Sequence, residues 1–283
     1  MSNPWLTRRV LNWAHQGGAW EGPSSTLHAM DKAVASGAHA IELDVHCTSD
    51  RRLVVCHDAT VDRTTQSQGA IASLTLSEVA SLDNAYWWVG GSDVDHHADE
   101  SSYVHRGLAP ADRRFGVAPL DEVLEAFPGV YLNFDIKQTA PDVEPYEALL
   151  ADALRRHNRS DDVIVASFND AATDAFSAYA PEFHTSMGTQ STYDFYQAVR
   201  AGDPPPASRH IALQVPYRFE EITVVDKAFV ARAHDHGLAV HVWTINNEAD
   251  MGDLIDLGVD GVITDRPAVF ASVLAGRGVG FAP

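Results

Sequence analysis

The sequence predicts an α/β fold, a TIM (β/α)8 barrel with a small insertion beside its open end. Three observations predict it. Eight short apolar runs recur along the 283 residues, helical patterns fall between most of them, and acidic residues interrupt two of the runs at alternate positions. Alternation of strand and helix is the signal for a parallel sheet, and eight such units in about 250 residues suggest a closed ring.

The runs are Val10 to Ala14, Ala40 to Val45, Val130 to Ile136, Val163 to Ser167, Phe183 to Met187, Ile211 to Val215, Ala239 to Thr244 and Gly261 to Thr264. Thr26 to Ser36 shows the helical pattern: Leu27, Met30 and Val34 recur at spacings of three and four, Ser24 and Ser25 precede them as caps, and Gly37 follows. Leu53 to His57 is a ninth run, but only seven residues separate it from Val45, and a parallel crossover needs about a dozen. It is therefore expected as an antiparallel hairpin arm on the second strand, with His57 at its far end, folded back toward the start of that strand or its neighbours.

Between Thr65 and Leu120 the alternation breaks into polar and aromatic sequence that includes Tyr86-Trp87-Trp88, Gly90-Gly91, His96-His97 and Tyr103. A connection this long in a compact domain is usually a functional lid or an inserted subdomain. Residues 1–283 are accordingly expected as a single domain with 66–120 inserted within it. No internal repeat or low-complexity tract is found, and Pro204-Pro205-Pro206 is a short stiff loop.

With 45% hydrophobic and 21% charged residues, and no run near the roughly 18 apolar residues of a membrane span, the composition is that of a globular chain. Arg8 and Arg9 are followed by neither an apolar run nor a small-residue cleavage site, so no secretory signal is expected and the cytoplasm is the expected compartment. Cys47 and Cys56, the two cysteines, are too few for a disulfide scaffold and are expected as buried small apolar residues. A net charge of -19 repels polyanions, which argues against nucleic acid and against adsorption to anionic lipid. It also repels an anionic substrate, so local cations must reverse the field at any such site. The lysines are Lys32, Lys137 and Lys227, which gives weight to one that falls inside a motif.

Glu42 and Asp44 interrupt the apolar positions Ile41, Leu43 and Val45, and residues two apart in a strand point to the same side. Two carboxylates side by side at the end of a barrel strand face its mouth together, and they repel unless a proton or a cation lies between them. On the next barrel strand Asp135 and Lys137 repeat the pattern among Leu132, Phe134 and Ile136. Three oxygen donors without cysteine suit a hard cation, Mg²⁺ or Ca²⁺, with Lys137 as a point charge for a phosphate oxygen or as a salt-bridge partner of Asp135. His15 ends the first strand ahead of Gly17-Gly18, and His57 ends the hairpin arm ahead of Asp58. Two imidazoles beside an acidic cluster are suited to acid–base work on either side of a reacting phosphorus.

Six ordered motifs resemble those of the glycerophosphodiester phosphodiesterases: Ala14-His15-Gln16-Gly17-Gly18, Ile41-Glu42-Leu43-Asp44-Val45, Val54-Val55-Cys56-His57-Asp58 through Asp62-Arg63-Thr64-Thr65, Leu132-Asn133-Phe134-Asp135-Ile136-Lys137, His241-Val242-Trp243-Thr244-Ile245-Asn246, and Gly261-Val262-Ile263-Thr264-Asp265-Arg266-Pro267. The resemblance runs from about His15 to Pro267 and implies the barrel of the phosphatidylinositol phospholipase C type. It implies His15 and His57 as the acid–base pair, Glu42, Asp44 and Asp135 as metal ligands, Lys137 on phosphate and Trp243 on the glycerol or head-group side. The implied reaction hydrolyses a small glycerophosphodiester to glycerol 3-phosphate and an alcohol, with no nucleic-acid partner and no stable membrane insertion.

Three positions depart from the family pattern. Gln16 stands where the family usually has Arg, Pro23-Ser24-Ser25-Thr26 where it has Pro-Glu-Asn-Thr, and Asp135 where it has Glu. A substrate-facing cation at position 16 and a supporting Glu are thereby lost, and Glu21 is the candidate to replace the latter. The rival readings are a lysophospholipase D or sphingomyelinase D, which share barrel and site but accept an acyl chain, a catalytically silent barrel that binds glycerophosphodiesters, and a sugar-phosphate isomerase, which does not require two histidines and three acids.

Overall fold

A computed structural model describes residues 3–137 and 143–281. Among them eight parallel strands form the expected ring: β1 (Leu11–His15), β2 (Ala40–Cys47), β3 (Tyr131–Ile136), β4 (Val163–Ala166), β5 (His184–Thr185), β6 (Ala212–Pro216), β7 (Ala239–Trp243) and β8 (Gly261–Thr264). They pair in the order β6-β7-β8-β1-β2-β3-β4-β5. A parallel bridge from Ser186 to Ala212 joins the two ends. Each strand is followed by a helix: α1 (Leu27–Ala35), α2 (Leu120–Ala126), α3 (Glu147–Arg156), α4 (Asp170–Tyr179), α5 (Thr189–Ala201), α6 (Lys227–Asp235), α7 (Glu248–Leu257) and α8 (Pro267–Gly276).

Alternation along each strand divides the barrel into a shell and a lumen. Ile41, Leu43, Val45 and Cys47 of β2 pack outward with Leu132, Phe134 and Ile136 of β3 beneath the helices. Val240 and Val242 of β7 do the same against Phe229 and Phe270. The inward residues are then Leu11, Trp13 and His15 on β1, Ala40, Glu42 and Asp44 on β2, and Ala239, His241 and Trp243 on β7. Their lower tier is apolar: Trp5, Leu11, Trp13, Ala40, Ile164, Ala212, Ala239 and Ile263 form one cluster, with Trp5 of the first turn stacked on Trp13 at 5.8 Å between centroids. Their upper tier is polar and charged.

The hairpin arm is Leu53–Val55, antiparallel to Val45–Cys47 of β2. This pairing lets β2 run past the Val45 limit read from the sequence, because its last residues find partners on the arm rather than in the ring. Glu42 and Asp44 thus lie in the middle of a long strand but at the level of the mouth, where His15 of β1 is the register partner of Glu42 and Asp135 that of Asp44. β5 is shorter than the expected Phe183 to Met187, since Phe183 and Met187 are buried in two different core clusters flanking the pair that does form. The cap of α1 is Thr26, whose hydroxyl accepts from the Ala29 N–H at 3.1 Å, rather than Ser24 or Ser25, because Ser25 takes a left-handed φ of 58° that turns the chain first. Cys47 and Cys56 are free and buried.

From Cys56 to Val117 the chain runs outside the ring before Ala118 and Pro119 pair with the hairpin arm. This segment carries a one-turn helix, Leu76–Ala80, capped reciprocally by Thr75 and Glu78, and a short antiparallel pair, Trp88–Val89 with Asp93–Val94. The Arg106 guanidinium lies over the rings of Tyr86, Trp87 and Tyr103, the nearest 3.6 Å from a ring centroid. Two bonds dock the segment on the loop after β1, from Trp88 Nε1 to the Ala19 carbonyl and from the Gly91 N–H to the Trp20 carbonyl, both 2.8 Å. No helix among the described residues is long and apolar enough to cross a membrane.

Candidate active site

The mouth of the barrel opens into a cavity of about 370 Å³ lined by His15, Glu42, Asp44, His57, Asp135 and Lys137 on one side and by Phe168, Met187, Pro216, Phe219 and Trp243 on the other. Strand ends place most of these groups, which is where barrels of this class carry their functional side chains. The antiparallel arm does the rest: its chain turns back beside Asp44, whose carbonyl accepts from the Cys56 N–H at 3.0 Å, and so brings His57 over the first strand. The rings of His15 and His57 stand 6.2 Å apart and nearly perpendicular.

Each imidazole has a carboxylate on its Nδ1. His15 Nδ1 lies 2.6 Å from Asp265 Oδ1, at the end of β8, and Asp265 Oδ2 accepts from Asn246 Nδ2 at 2.6 Å. Asn246 also receives the Asp265 N–H on its own side-chain oxygen at 2.9 Å, which locks the carboxylate in place. His57 Nδ1 lies 2.6 Å from Asp58 Oδ1, and Arg63 Nε donates to Asp58 Oδ2 at 2.6 Å. His46, buried beside Asp44, reaches the His57 carbonyl through Nε2 at 3.3 Å. Both arrangements present Nε2 to the cavity and fix the tautomer that does so.

Burial works against a charged His15, but the hydrogen bond it donates to Asp265 and the charges of Glu42, Asp265 and Asp44 outweigh it and lift the ring to about 9. Glu42 is pushed up to about 8, by burial first and then by Asp44. Burial also raises Asp135, with Lys137 opposing. The Lys137 ammonium is 2.9 Å from Asp44 Oδ1 and 3.1 Å from Asp135 Oδ2, and these carboxylates hold it protonated against the cost of its own burial. Around Asp58 burial is overcome by His57 and Arg63, which hold its carboxyl down near 2.

The cluster has the donors for a hard cation. Asp44 Oδ2 and Asp135 Oδ1 are buried without a hydrogen-bond partner, a costly state that a bound cation relieves. As the side chains stand, no three His, Cys, Asp or Glu groups among the described residues converge as an ion-binding set, and the Lys137 ammonium bridges Asp44 and Asp135. The donor chemistry, three carboxylates with two orphaned oxygens, is that of a hard divalent cation.

All three carboxylates, both histidines, Lys137 and Trp243 named from the sequence line one cavity. Gln16 does not line it: the residue is buried, with a left-handed φ of 51°, and its amide Nε2 lies 3.2 Å from His15 Nε2. Glu21 does not join the site either, since its carboxylate accepts from the Ala268 N–H at 3.1 Å and caps the start of α8. Sequence reasoning gave no role to Asp265, Asn246, Asp58 or Arg63, although three of the quoted motifs contain them. The available signal was position: Asp265 follows the last residue of a barrel strand, and Asp58 follows His57.

The profile of the glycerophosphoryl diester phosphodiesterase family matches residues 15–269. The chain belongs to that family. It is an enzyme of the phosphoric diester hydrolase class. It is 30% identical over 276 residues to a glycerophosphodiester phosphodiesterase of Bacillus subtilis, covering 95% of this chain and 87% of that protein. The crystal structure of a glycerophosphoryl diester phosphodiesterase domain from Mycobacterium tuberculosis superposes with a TM-score of 0.75 at 18% identity, covering 92% of this chain and 97% of the other. A phosphodiesterase of Oleispira antarctica in complex with the product sn-glycerol-3-phosphate gives 0.66 at 20% identity, covering 93% and 96%. The likeness extends across nearly the whole chain.

Proposed function

We propose that this family member hydrolyses small glycerophosphodiesters to glycerol 3-phosphate and an alcohol, with His15 and His57 as the acid–base pair. The observation that carries the reading is the pair of His–Asp dyads facing each other at 6.2 Å across one cavity, with a carboxylate wall beneath them. One imidazole takes the proton of the neighbouring glycerol hydroxyl as it attacks phosphorus and the other protonates the leaving alcohol oxygen; water then opens the cyclic phosphate to glycerol 3-phosphate with the two roles exchanged. Lys137 gives a cation for a non-bridging phosphate oxygen, and Trp243 borders the glycerol or head group. Glu42, Asp44 and Asp135 would hold Mg²⁺ or Ca²⁺, which supplies Lewis-acid polarisation of the phosphoryl group. The product found in the Oleispira antarctica relative is glycerol 3-phosphate, in keeping with this reaction.

The test is release of glycerol 3-phosphate from glycerophosphocholine before and after exhaustive chelation. Chelation is expected to abolish turnover, and added Mg²⁺ or Ca²⁺ to restore it. Full activity in protein shown by elemental analysis to be free of metal overturns the metal assignment, and no turnover of any glycerophosphodiester under any metal overturns the reaction.

A second substrate class is favoured by one feature. Phe219 lines the cavity and pairs directly with Ile222 across a short hairpin, so both side chains share one face; they are 60% and 47% exposed. With Phe168 and Trp243 this makes an apolar rim suited to the acyl chain of a lysophospholipid. Phe219→Ser is expected to raise KM for lysophosphatidylcholine several-fold and to leave glycerophosphocholine unaffected; equal effects on both exclude a chain-binding role.

A further inference from the structure

We propose that Asp93, a carboxylate of the segment outside the barrel, is a positioning residue for the reaction: through Arg63 and Asp58 it fixes the orientation of the His57 imidazole. The inference rests on the assignment of His57 to proton transfer made above.

Three contacts form the chain. His57 Nδ1 to Asp58 Oδ1 is 2.6 Å, Arg63 Nε to Asp58 Oδ2 is 2.6 Å, and Arg63 Nη1 to Asp93 Oδ2 is 2.7 Å. A guanidinium beside one carboxylate prefers to grip both oxygens in a parallel fork. Here such a grip would compete for Asp58 Oδ1, the oxygen that His57 needs. Arg63 instead bridges two acids, with Nε on Asp58 Oδ2 and Nη1, on the other side of the guanidinium, on Asp93 Oδ2, so Asp93 anchors the far end of the group and keeps Nε aimed at Asp58 Oδ2. The backbone of Arg63 is tied to the same outer segment, since His96 Nε2 lies 2.8 Å from its carbonyl.

Asp93 is held at this point against local preference. Its φ is 67°, in the left-handed region, and Oδ1 is buried without a hydrogen-bond partner. Burial raises its carboxyl although Arg63 opposes. A buried acid with one unsatisfied oxygen is poorly explained as a stabilising contact alone. The docking of Gly91 on the Trp20 carbonyl and of Trp88 on Ala19 holds the surrounding turn against the loop that follows His15.

The experiment is a kinetic cycle on the metal-loaded enzyme with glycerophosphocholine. Asparagine matches aspartate in volume and tolerates a left-handed φ, so Asp93→Asn preserves the backbone. It is expected to lower kcat about tenfold with KM within about twofold, the lower end of the roughly 10–100-fold scale for losing an outer partner of a functional group. In an Asp58→Asn background the same change is expected to cause no further loss, because the link to His57 is already cut. Arg63→Lys, which keeps the charge but cannot hold both acids in the same geometry, should behave as Asp93→Asn does and serves if that variant is unstable. Val104→Ala, an exposed residue of the same segment, should leave all parameters unchanged. Wild-type kcat in folded Asp93→Asn or Arg63→Lys overturns the inference, as does a loss that multiplies with that of Asp58→Asn. His57→Ala separates the two levels: full turnover there removes the proton-transfer assignment, whereas a dead His57→Ala with an unimpaired Asp93→Asn removes only the role of Asp93.

Discussion

His15 and His241 point into the same barrel from strands two apart, and both lose water by doing so. Desolvation alone drives an imidazole toward the neutral form. At the mouth His15 meets Asp265, Glu42 and Asp44 and rises to about 9. On the floor His241 lies 5.3 Å from the Trp13 ring, neither ring nitrogen has a partner, only Asp260 acts in the opposite direction, and the ring falls to about 4. The tier occupied along a strand therefore decides whether a buried histidine holds its proton or stays neutral. Burial is common to both, and the countercharge distinguishes them.

The largest effect expected from this contrast is kinetic. His15→Ala should lower kcat by about 10²-fold or more, the usual scale for a positioned acid or base, whereas His241→Phe should leave kcat within about twofold. Steady-state turnover of the two purified variants checks this, and a comparable loss in both would erase the distinction between mouth and floor.

The second effect is on stability, and its sign differs at the two sites. His241 stays neutral in the fold while the unfolded chain takes up a proton below its ordinary 6.5, so its contribution is present above 6.5 and is lost as pH falls toward 4. At about 1.4 kcal/mol per pH unit the loss approaches about 3 kcal/mol. Denaturant midpoints of wild type and His241→Phe, measured from pH 7 to 4, should show a flatter acid limb in the variant. His15 runs the other way: in chelated protein its stabilisation is present below 6.5 and disappears as pH rises through about 9. A His15→Ala protein whose alkaline limb is as steep as that of wild type would show that the mouth charges do not hold the ring as described.

The smallest effect concerns a carboxylate that lies near the mouth without serving it. Glu21→Gln should cost about 0.5 kcal/mol through weaker capping of α8 and leave turnover unchanged. A tenfold kinetic loss would instead restore Glu21 as a stand-in for the missing family Glu.

The ring was legible because its signal is local. Ile41, Leu43 and Val45 alternate with Glu42 and Asp44, and that period fixes both the strand and the side on which the acids lie. The same period would have separated His241 from Trp243 by tier, since both point inward and only the second reaches the cavity. Partners were harder to read. Asp265 meets His15 across 250 residues of chain, and no spacing rule connects them before the barrel closes. Gln16 was read as a substrate-side position from the family resemblance, and its left-handed backbone sets its amide 3.2 Å from His15 Nε2, a contact that no sequence spacing announces. Arg63 lay inside a quoted motif, yet its second carboxylate comes from Asp93, in a segment whose sequence carries no periodic signal.

The pairing of Val55 with Ala118 and of Val54 with Pro119 sets the two ends of residues 56–117 side by side, about one strand spacing apart. The entropy of closing such a loop grows only with the logarithm of its length, so doubling it costs about 0.6 kcal/mol. The part of this loop beyond Arg63 can therefore change in length at little loop-closure cost, and substrate range can drift without a change in any ring strand. Because His57, Asp58 and Arg63 open this same loop, an exchange must begin beyond Arg63 and keep an acid set against its guanidinium, which is the place Asp93 holds.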